Sequence, residues 1–399
     1  MTRFDLEKER ILQSPLRFIP YAVNVWCVLL PTSELGSGRI RKMRLLGVDY
    51  AIFRSDSGAL CGVEDRCPHR GIELSLGTIE DNHIRCAYHG WCVDGSSGRI
   101  LRKDCSSIDD QQCTRHIALR ERHGLVWAFI GNPDIADAYP LPILSGFGLG
   151  KSVDMIIRKP IAAHWSYVFD NGIDLFHYGL HENVPFFFRI QNLVSYEATG
   201  DKYRVHYRAE MPDYMGRTRE GDLFIETSSN LFSLDMGGDL RVHGVATPVS
   251  ANGRILEMWW FVSVFAPAPM RLFLRAIKPL ILRQVTRGFQ QDVAVLESEQ
   301  RAFDRGLRFQ RETNPAVHAA HDYLKNYIAD CSQSMSVNLK VESVPFELLR
   351  SQALRGELGI VCVKGGKAEV IDPELESNLL HGVGKLDVRR YQHFVLIEQ

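Results

Sequence analysis

From Val23 onward the chain alternates apolar and polar residues in short runs, and residues 23–30, 40–46, 50–54 and 60–64 read as strands. Gly and Ser-Gly turns separate them at the close intervals of a small antiparallel β domain. Residues 99–102, 115–121 and the apolar run 124–130 continue the pattern, and Gly131-Asn132-Pro133 closes it. A Pro- and Gly-rich linker follows over 139–150, and the strands then lengthen. Residues 203–210, 223–227, 230–234, 240–247 and 255–265 read as one antiparallel sheet, in which the Trp259-Trp260-Phe261 run, apolar on both faces, marks a central strand. Helical stretches follow at 288–297 and 316–331. Past them, 345–355 reads as a helix, 359–364 and 367–372 as a hairpin about Gly365-Gly366, and 390–398 as a strand. The pattern predicts an α+β chain in four parts: a charged, helical lead-in over 1–22, an all-β domain over 23–140, an α+β domain over 141–335, and an extension of unassigned role over 336–399.

Composition narrows this further. At 399 residues, 45% apolar and 24% charged, the chain has the make-up of two or three soluble globular domains. A net charge of −1 gives no footing for a nucleic-acid partner. The nine cysteines are odd in number and lack framework spacing, which predicts a reducing, cytoplasmic setting. The N-terminal residues lack a secretory apolar core, and no run is long enough to predict a transmembrane helix.

Two short loops carry the most specific chemistry: Cys67-Pro68-His69-Arg70-Gly71 and Cys86-Ala87-Tyr88-His89-Gly90-Trp91. Each pairs a thiolate with an imidazole. A [2Fe–2S] cluster of the Rieske type takes such a set, two thiolates on one iron and two imidazoles on the other. Zinc also accepts two Cys and two His, but its usual signature pairs like ligands, which the alternating order here does not. The stretch resembles the Rieske domains of bacterial and plastid oxygenases. Respiratory Rieske proteins carry a further Cys on each loop, joined as a disulfide; here Cys92 follows Trp91 with no counterpart on the first loop.

A second centre is predicted over residues 170–181. If this stretch is helical, His177 and His181 stand at i and i+4 on one face, with Asp174 at i−3 from His177 on the same face. Two imidazoles and a carboxylate on one face of Fe(II) leave positions open for O2. The run resembles the Asn-x-x-Asp-x-x-His motif of Rieske non-heme iron oxygenases, with Asn171, Asp174 and His177 matching. The second His follows after three residues, where many members have four. By the same resemblance the third ligand is Asp292 of the pair Gln291-Asp292, with Glu297, Glu299 and Asp304 as rival carboxylates. Asp174 takes another role: its carboxylate is expected to bridge His177 and the partner subunit's His89 in a head-to-tail homotrimer.

The resemblance implies a terminal oxygenase component with a helix-grip (START-like) catalytic domain, a Rieske [2Fe–2S] cluster, a mononuclear Fe(II) and O2 as co-substrate. The expected reaction is oxygenation of an apolar, bulky cyclic substrate, with dealkylation, desaturation or oxidative cyclisation as alternatives from the same iron. A plain Rieske electron carrier is the rival reading; it would need no second iron. No G-x-G-x-x-G follows a strand, so NAD(P)H is expected to act only through a separate ferredoxin or reductase. Residues 270–285 form a basic amphipathic segment interrupted by Pro279, suited either to a membrane surface or to the rim of a substrate cavity. Its length and position resemble oxygenases acting on chlorophyll-derived pigments.

Overall fold

The computed structural model describes residues 12, 16–19, 21–101, 113–181, 188–199, 202–212, 217–228, 231–305, 312–335, 359–364, 367–371 and 394–398. The expected helices over 1–20 and 345–355 fall almost wholly outside these residues.

Three small antiparallel sheets build the N-terminal β domain. Strands β1 (Val25–Pro31), β2 (Ile40–Leu45), β3 (Val48–Arg54) and β4 (Leu60–Glu64) come first. Short strands β5 (Thr78–Glu80), β6 (His83–Arg85), β7 (Cys92–Asp94) and β8 (Ile100–Leu101) follow, then β9 (Leu119–Arg122) and β10 (Leu125–Ile130). The sheet orders are β1-β10-β9, β2-β3-β4 and β5-β6-β7-β8. Every residue of β10 is buried, because the strand is central and covered on both faces. Arg41, Lys42 and Arg44 leave the edge strand β2 largely exposed.

The second half is a seven-stranded antiparallel sheet. Its strands are β11 (Ser152–Ile161), β12 (Arg189–Thr199), β13 (Lys202–Pro212), β14 (Thr218–Ser228), β15 (Leu231–Met236), β16 (Leu240–Pro248) and β17 (Leu256–Phe265). Their order is β11-β17-β16-β15-β14-β13-β12, so β11 and β12, neither of which the sequence pattern predicts, are the two edges. Helix α1 (Trp165–Ile173) follows β11, and α2 (Ala268–Ala276), α3 (Lys278–Asp304) and α4 (Pro315–Met335) follow the sheet. Among the described residues no helix is long and apolar enough to cross a membrane.

The doubly apolar run on β17 has two destinations. Trp259 and Phe261 join Trp26, Val28, Trp127 and Phe129 of the β domain in one buried layer. Trp260 and Val262 point the other way, into the core beneath α3. Polar ties reinforce the layer: the Thr247 hydroxyl donates to the Val28 carbonyl at 2.6 Å, and the Leu46 amide to the Pro248 carbonyl at 3.0 Å. Residues 334–399 form a separate unit, and past the end of α4 its described part is a three-stranded sheet. Its strands β18 (Gly359–Lys364) and β19 (Lys367–Ile371) make the expected hairpin, and β20 (Phe394–Glu398) runs parallel to β18.

His243 of β16 is buried, within 2.7 Å of the Ser233 hydroxyl at Nδ1, and Nε2 donates to the Ser145 carbonyl at 3.0 Å. Burial, with Arg241 adding to it, pushes its pKa down to about 4 from 6.5. Between those values an unfolded chain takes up a proton that the folded chain refuses, so stability falls as pH drops through the window. The unfolding midpoint of the parent should therefore fall from pH 6.5 towards pH 4, and His243→Gln should flatten that fall. Parallel curves for parent and variant would assign the acid sensitivity to another group.

Candidate metal centres

The two Cys-His loops have matching backbones. Cys67 N–H donates to the Ile72 carbonyl at 2.7 Å, and Cys86 N–H to the Trp91 carbonyl at 2.8 Å, five residues on in each case. Each cysteine carbonyl in turn accepts from a glycine four residues on: Gly71 at 2.8 Å and Gly90 at 3.1 Å. These glycines have φ of +73° and +70°, a left-handed conformation that closes the loop and that other residues adopt only with strain. A Cβ there would also press on an arginine side chain, Arg66 at Gly71 and Arg85 at Gly90.

The loops bury their sulfurs and expose their imidazoles. Cys67 and Cys86 sit in a small apolar core with Phe53, Val63, Leu74 and Ile84. His69 and His89 are exposed, their ring centroids 4.7 Å apart, with His69 stacked on Trp91 at 4.9 Å. Burial pushes the Cys67 thiol up, the neighbouring Cys86 adds to that, and backbone N–H groups of His69 and Arg70 only partly oppose it. Two adjacent buried sulfurs suit a site where metal takes the place of protons. The donor set thus fits a Rieske cluster: thiolates on the protein side and imidazoles towards solvent. None of Cys27, Cys61, Cys67, Cys86, Cys92 and Cys113 is joined in a disulfide.

At the second site the backbone departs from one continuous helix. Helix α1 stops at Asp174, whose ψ of 90° is extended, and Leu175–His181 continues as a 3₁₀ helix. The break reassigns the atoms of Asp174. Its carboxylate Oδ1 caps the new turn, accepting from Phe176 N–H at 3.2 Å and from Asn314 Nδ2 at 2.9 Å. Its backbone carbonyl, not its carboxylate, faces His177 Nδ1. Within one chain, then, the His177 side of the expected bridge is made by main chain.

Three predicted residues converge here. Ligand atoms of His177, His181 and Asp292 all lie within 4.8 Å of one another. His177 Nε2 is 3.6 Å and His181 Nε2 3.2 Å from Asp292 Oδ1. His181 Nδ1 lies 3.1 Å from Gln291 Oε1, so Gln291 and the Asp174 carbonyl each engage an Nδ1 and leave both Nε2 atoms facing inward. Asn171 donates to Asp292 Oδ1 at 3.4 Å. The rivals point elsewhere. Glu297 accepts from Ala162 N–H, Asp304 pairs with Arg254, and Glu299 lies 3.9 Å from Arg17. Two imidazoles and one carboxylate fit an iron(II) with open positions.

The turn is held from behind. Arg17 lies 2.6 Å from both Ser166 Oγ and Asp170 Oδ2, and Asp170 Oδ1 lies 2.6 Å from His321 Nε2 on α4. Burial opposes ionisation of Asp170, but Arg17 and His321 more than offset it, and its carboxyl stays below the usual range. Asn314 caps α4 by accepting from Ala316 N–H at 3.0 Å, while its amide reaches Asp174 and the Tyr207 hydroxyl. Sequence reading passes over Asn314; its only local signal is an Asn before the Pro that opens a helix.

A cavity lined mainly by apolar side chains opens from the His177–His181–Asp292 cluster. Trp260, Val262 and Val264 of β17 line one wall, and Ile281, Val285 and Phe289 of α3 the other. Trp260 stacks on Phe289 at 4.5 Å, one helical turn from Asp292. Asp239, also in the lining, pairs with Arg219 at 2.5 Å. Four residues of antiparallel strand separate Trp260 from Val264, about 14 Å.

Residues 25–110 match the family described as the Rieske [2Fe-2S] domain. Over 200 residues the chain is 34% identical to a 4beta-methylsterol monooxygenase of Methylococcus capsulatus, covering 48% of this chain and 53% of that protein. It thus spans about half the length of this curated relative. The structure of dicamba monooxygenase bound to 3,6-dichlorosalicylic acid matches with a TM-score of 0.61 at 18% identity, over 79% of this chain and 98% of that one. The oxygenase in the reduced oxygenase–ferredoxin complex of carbazole 1,9a-dioxygenase matches with a TM-score of 0.61 at 18% identity, over 86% and 99%. At such identities the likeness concerns the fold. The chain thus carries a Rieske [2Fe-2S] domain over residues 25–110 and shares its fold with these solved oxygenase structures.

Proposed function

We propose that the protein is the terminal oxygenase component of a Rieske system, oxidising a bulky, apolar cyclic substrate with O2 and electrons from a separate ferredoxin or reductase. Residues 23–140 would be its electron-relay module and 141–335 its catalytic module. The observation that carries the reading is the convergence of His177, His181 and Asp292 at one end of a long apolar cavity, in a chain that also holds a Rieske domain. A plain electron carrier has no use for such a cavity.

When bound, the cluster at Cys67, His69, Cys86 and His89 supplies single electrons, and iron at His177, His181 and Asp292 supplies the O2 chemistry. The side chains do the rest. Exposed His69 presents the relay to solvent, where a reduced ferredoxin can dock. The cavity walls exclude water and hold the substrate by shape. The lining spans Trp260 to Val264 along β17, about 14 Å of strand, and this apolar stretch favours a multi-ring skeleton over a small polar molecule. Asp174 couples the two centres across a subunit interface: its carboxylate is held by Asn314 and Phe176 N–H, and among the described residues Oδ2 has no partner within the chain. That arrangement supports a head-to-tail homotrimer, in which the partner subunit's His89 meets Asp174. Which bond lies nearest the iron decides between hydroxylation and dealkylation, desaturation or cyclisation.

A screen of multi-ring apolar compounds with a generic ferredoxin and reductase pair tests the reading. NAD(P)H consumption coupled to an oxidised product mass is expected, and uncoupled consumption with every compound would overturn it. Reconstituted parent protein should hold about three irons per chain, and Asp292→Ala about two, with an unchanged Rieske spectrum and product formation reduced at least ~100-fold. A variant that keeps its third iron would transfer the ligand role to another carboxylate.

Asp174→Asn separates coupling from ligation. It should retain all its iron, yet reoxidise a reduced cluster roughly 10–100-fold more slowly with substrate and O2 present. Reoxidation at the parent rate would reduce Asp174 to a cap of the 175–181 turn.

A further inference from the structure

We propose that α2 and the first turns of α3 dock on an anionic lipid bilayer. Residues 268–287 contain five cations, Arg271, Arg275, Lys278, Arg283 and Arg287, and no Asp or Glu. Among the described residues no carboxylate pairs with Arg275, Lys278, Arg283 or Arg287. Between these charges stand three large apolar side chains that the fold leaves in water: Leu272 is 72% exposed, Leu280 58% and Phe273 56%. A single exposed leucine is unremarkable, but three large apolar side chains on adjoining helices among five basic residues are not. The two helices are amphipathic in a particular sense. Their inner residues, Leu274, Ile281 and Val285, line the substrate cavity, while their outer residues are apolar and basic.

A bilayer with anionic headgroups meets both needs of the outer surface at once. Its negative surface potential draws the arginines, and its acyl boundary receives Leu272, Phe273 and Leu280. A protein partner would have to combine acidic groups and an apolar socket on one face. Docking would put the cavity one helix thickness, about 10 Å, from a phase in which apolar multi-ring molecules dissolve. This consequence rests on the substrate class proposed above; the docking itself does not, because it involves neither metal centre.

The test is co-sedimentation of the full-length holoprotein with phosphatidylcholine vesicles, with and without about 30 mol% phosphatidylglycerol. Binding is expected to the anionic vesicles only, weakening as salt is raised. Leu272→Ser with Phe273→Ser, and separately Arg275→Glu with Arg283→Glu, should each lower the bound fraction roughly fivefold or more, with the Rieske spectrum intact. Asp292→Ala should bind vesicles like the parent, so failure of the oxygenase reading and failure of docking are distinguishable. Absence of binding at low salt, or equal binding by both surface variants and the parent, would overturn the proposal. A change of oligomeric state in the Leu272→Ser, Phe273→Ser variant would also overturn it, by assigning the surface to contact between copies of the chain.

Discussion

Burial of β17 on both faces is the constraint from which the rest of the structure follows. An antiparallel strand sends alternate side chains to opposite sides, so the Trp259-Trp260-Phe261 run needs apolar cover on each. Trp259 and Phe261 find it in Trp26, Trp127 and Phe129, which ties the cluster-bearing β domain to the back of the sheet. Trp260 finds it in Phe289, which fixes the helix that carries Asp292. One strand thus sets where both predicted metal centres stand. Truncating either tryptophan would cost on the order of 3–5 kcal/mol in packing, a large fraction of a domain's stability.

The two centres solve opposite problems of exposure. At the cluster loops the sulfurs are buried and burial pushes the Cys67 thiol up, while the imidazoles are exposed. At the second centre His181 and Asp292 are buried and only His177 is partly open, so the open side faces an apolar cavity instead of water. Low polarity there strengthens the electrostatics of any charge the site holds.

Asp174 illustrates how much can turn on one residue's backbone. By leaving helical geometry it ends α1, starts the tighter turn that carries His177 and His181, and offers its carbonyl to one of them. Its carboxylate is then free of His177 and is held by Asn314, a residue 140 positions away that also caps α4 and bonds Tyr207. The cap, the turn and the ligand orientation are one network, so each is only as well placed as the others.

The amino-acid sequence alone determined the features whose physics is local. Cys67, His69, Cys86 and His89 are legible because each loop closes within five residues, and spacing there is geometry. The strands of the sheet interior were legible for the same reason: covered strands repeat their pattern. β11 and β12 were not, and both are edges: Arg158, Lys159 and Pro160 interrupt the apolar run of β11, and β12 is largely exposed. Only tertiary structure decided the break at Asp174, since Leu175–His181 suits a helix locally and Asn314 and the cavity wall, distant in sequence, select the turn. It alone chose among Asp292, Glu297, Glu299 and Asp304, which share one helix and differ only in which way they face. The length and lining of the cavity likewise belong to no segment: they exist only where β17 and α3 come together, and a contact between residues 260 and 289 leaves no mark on either stretch.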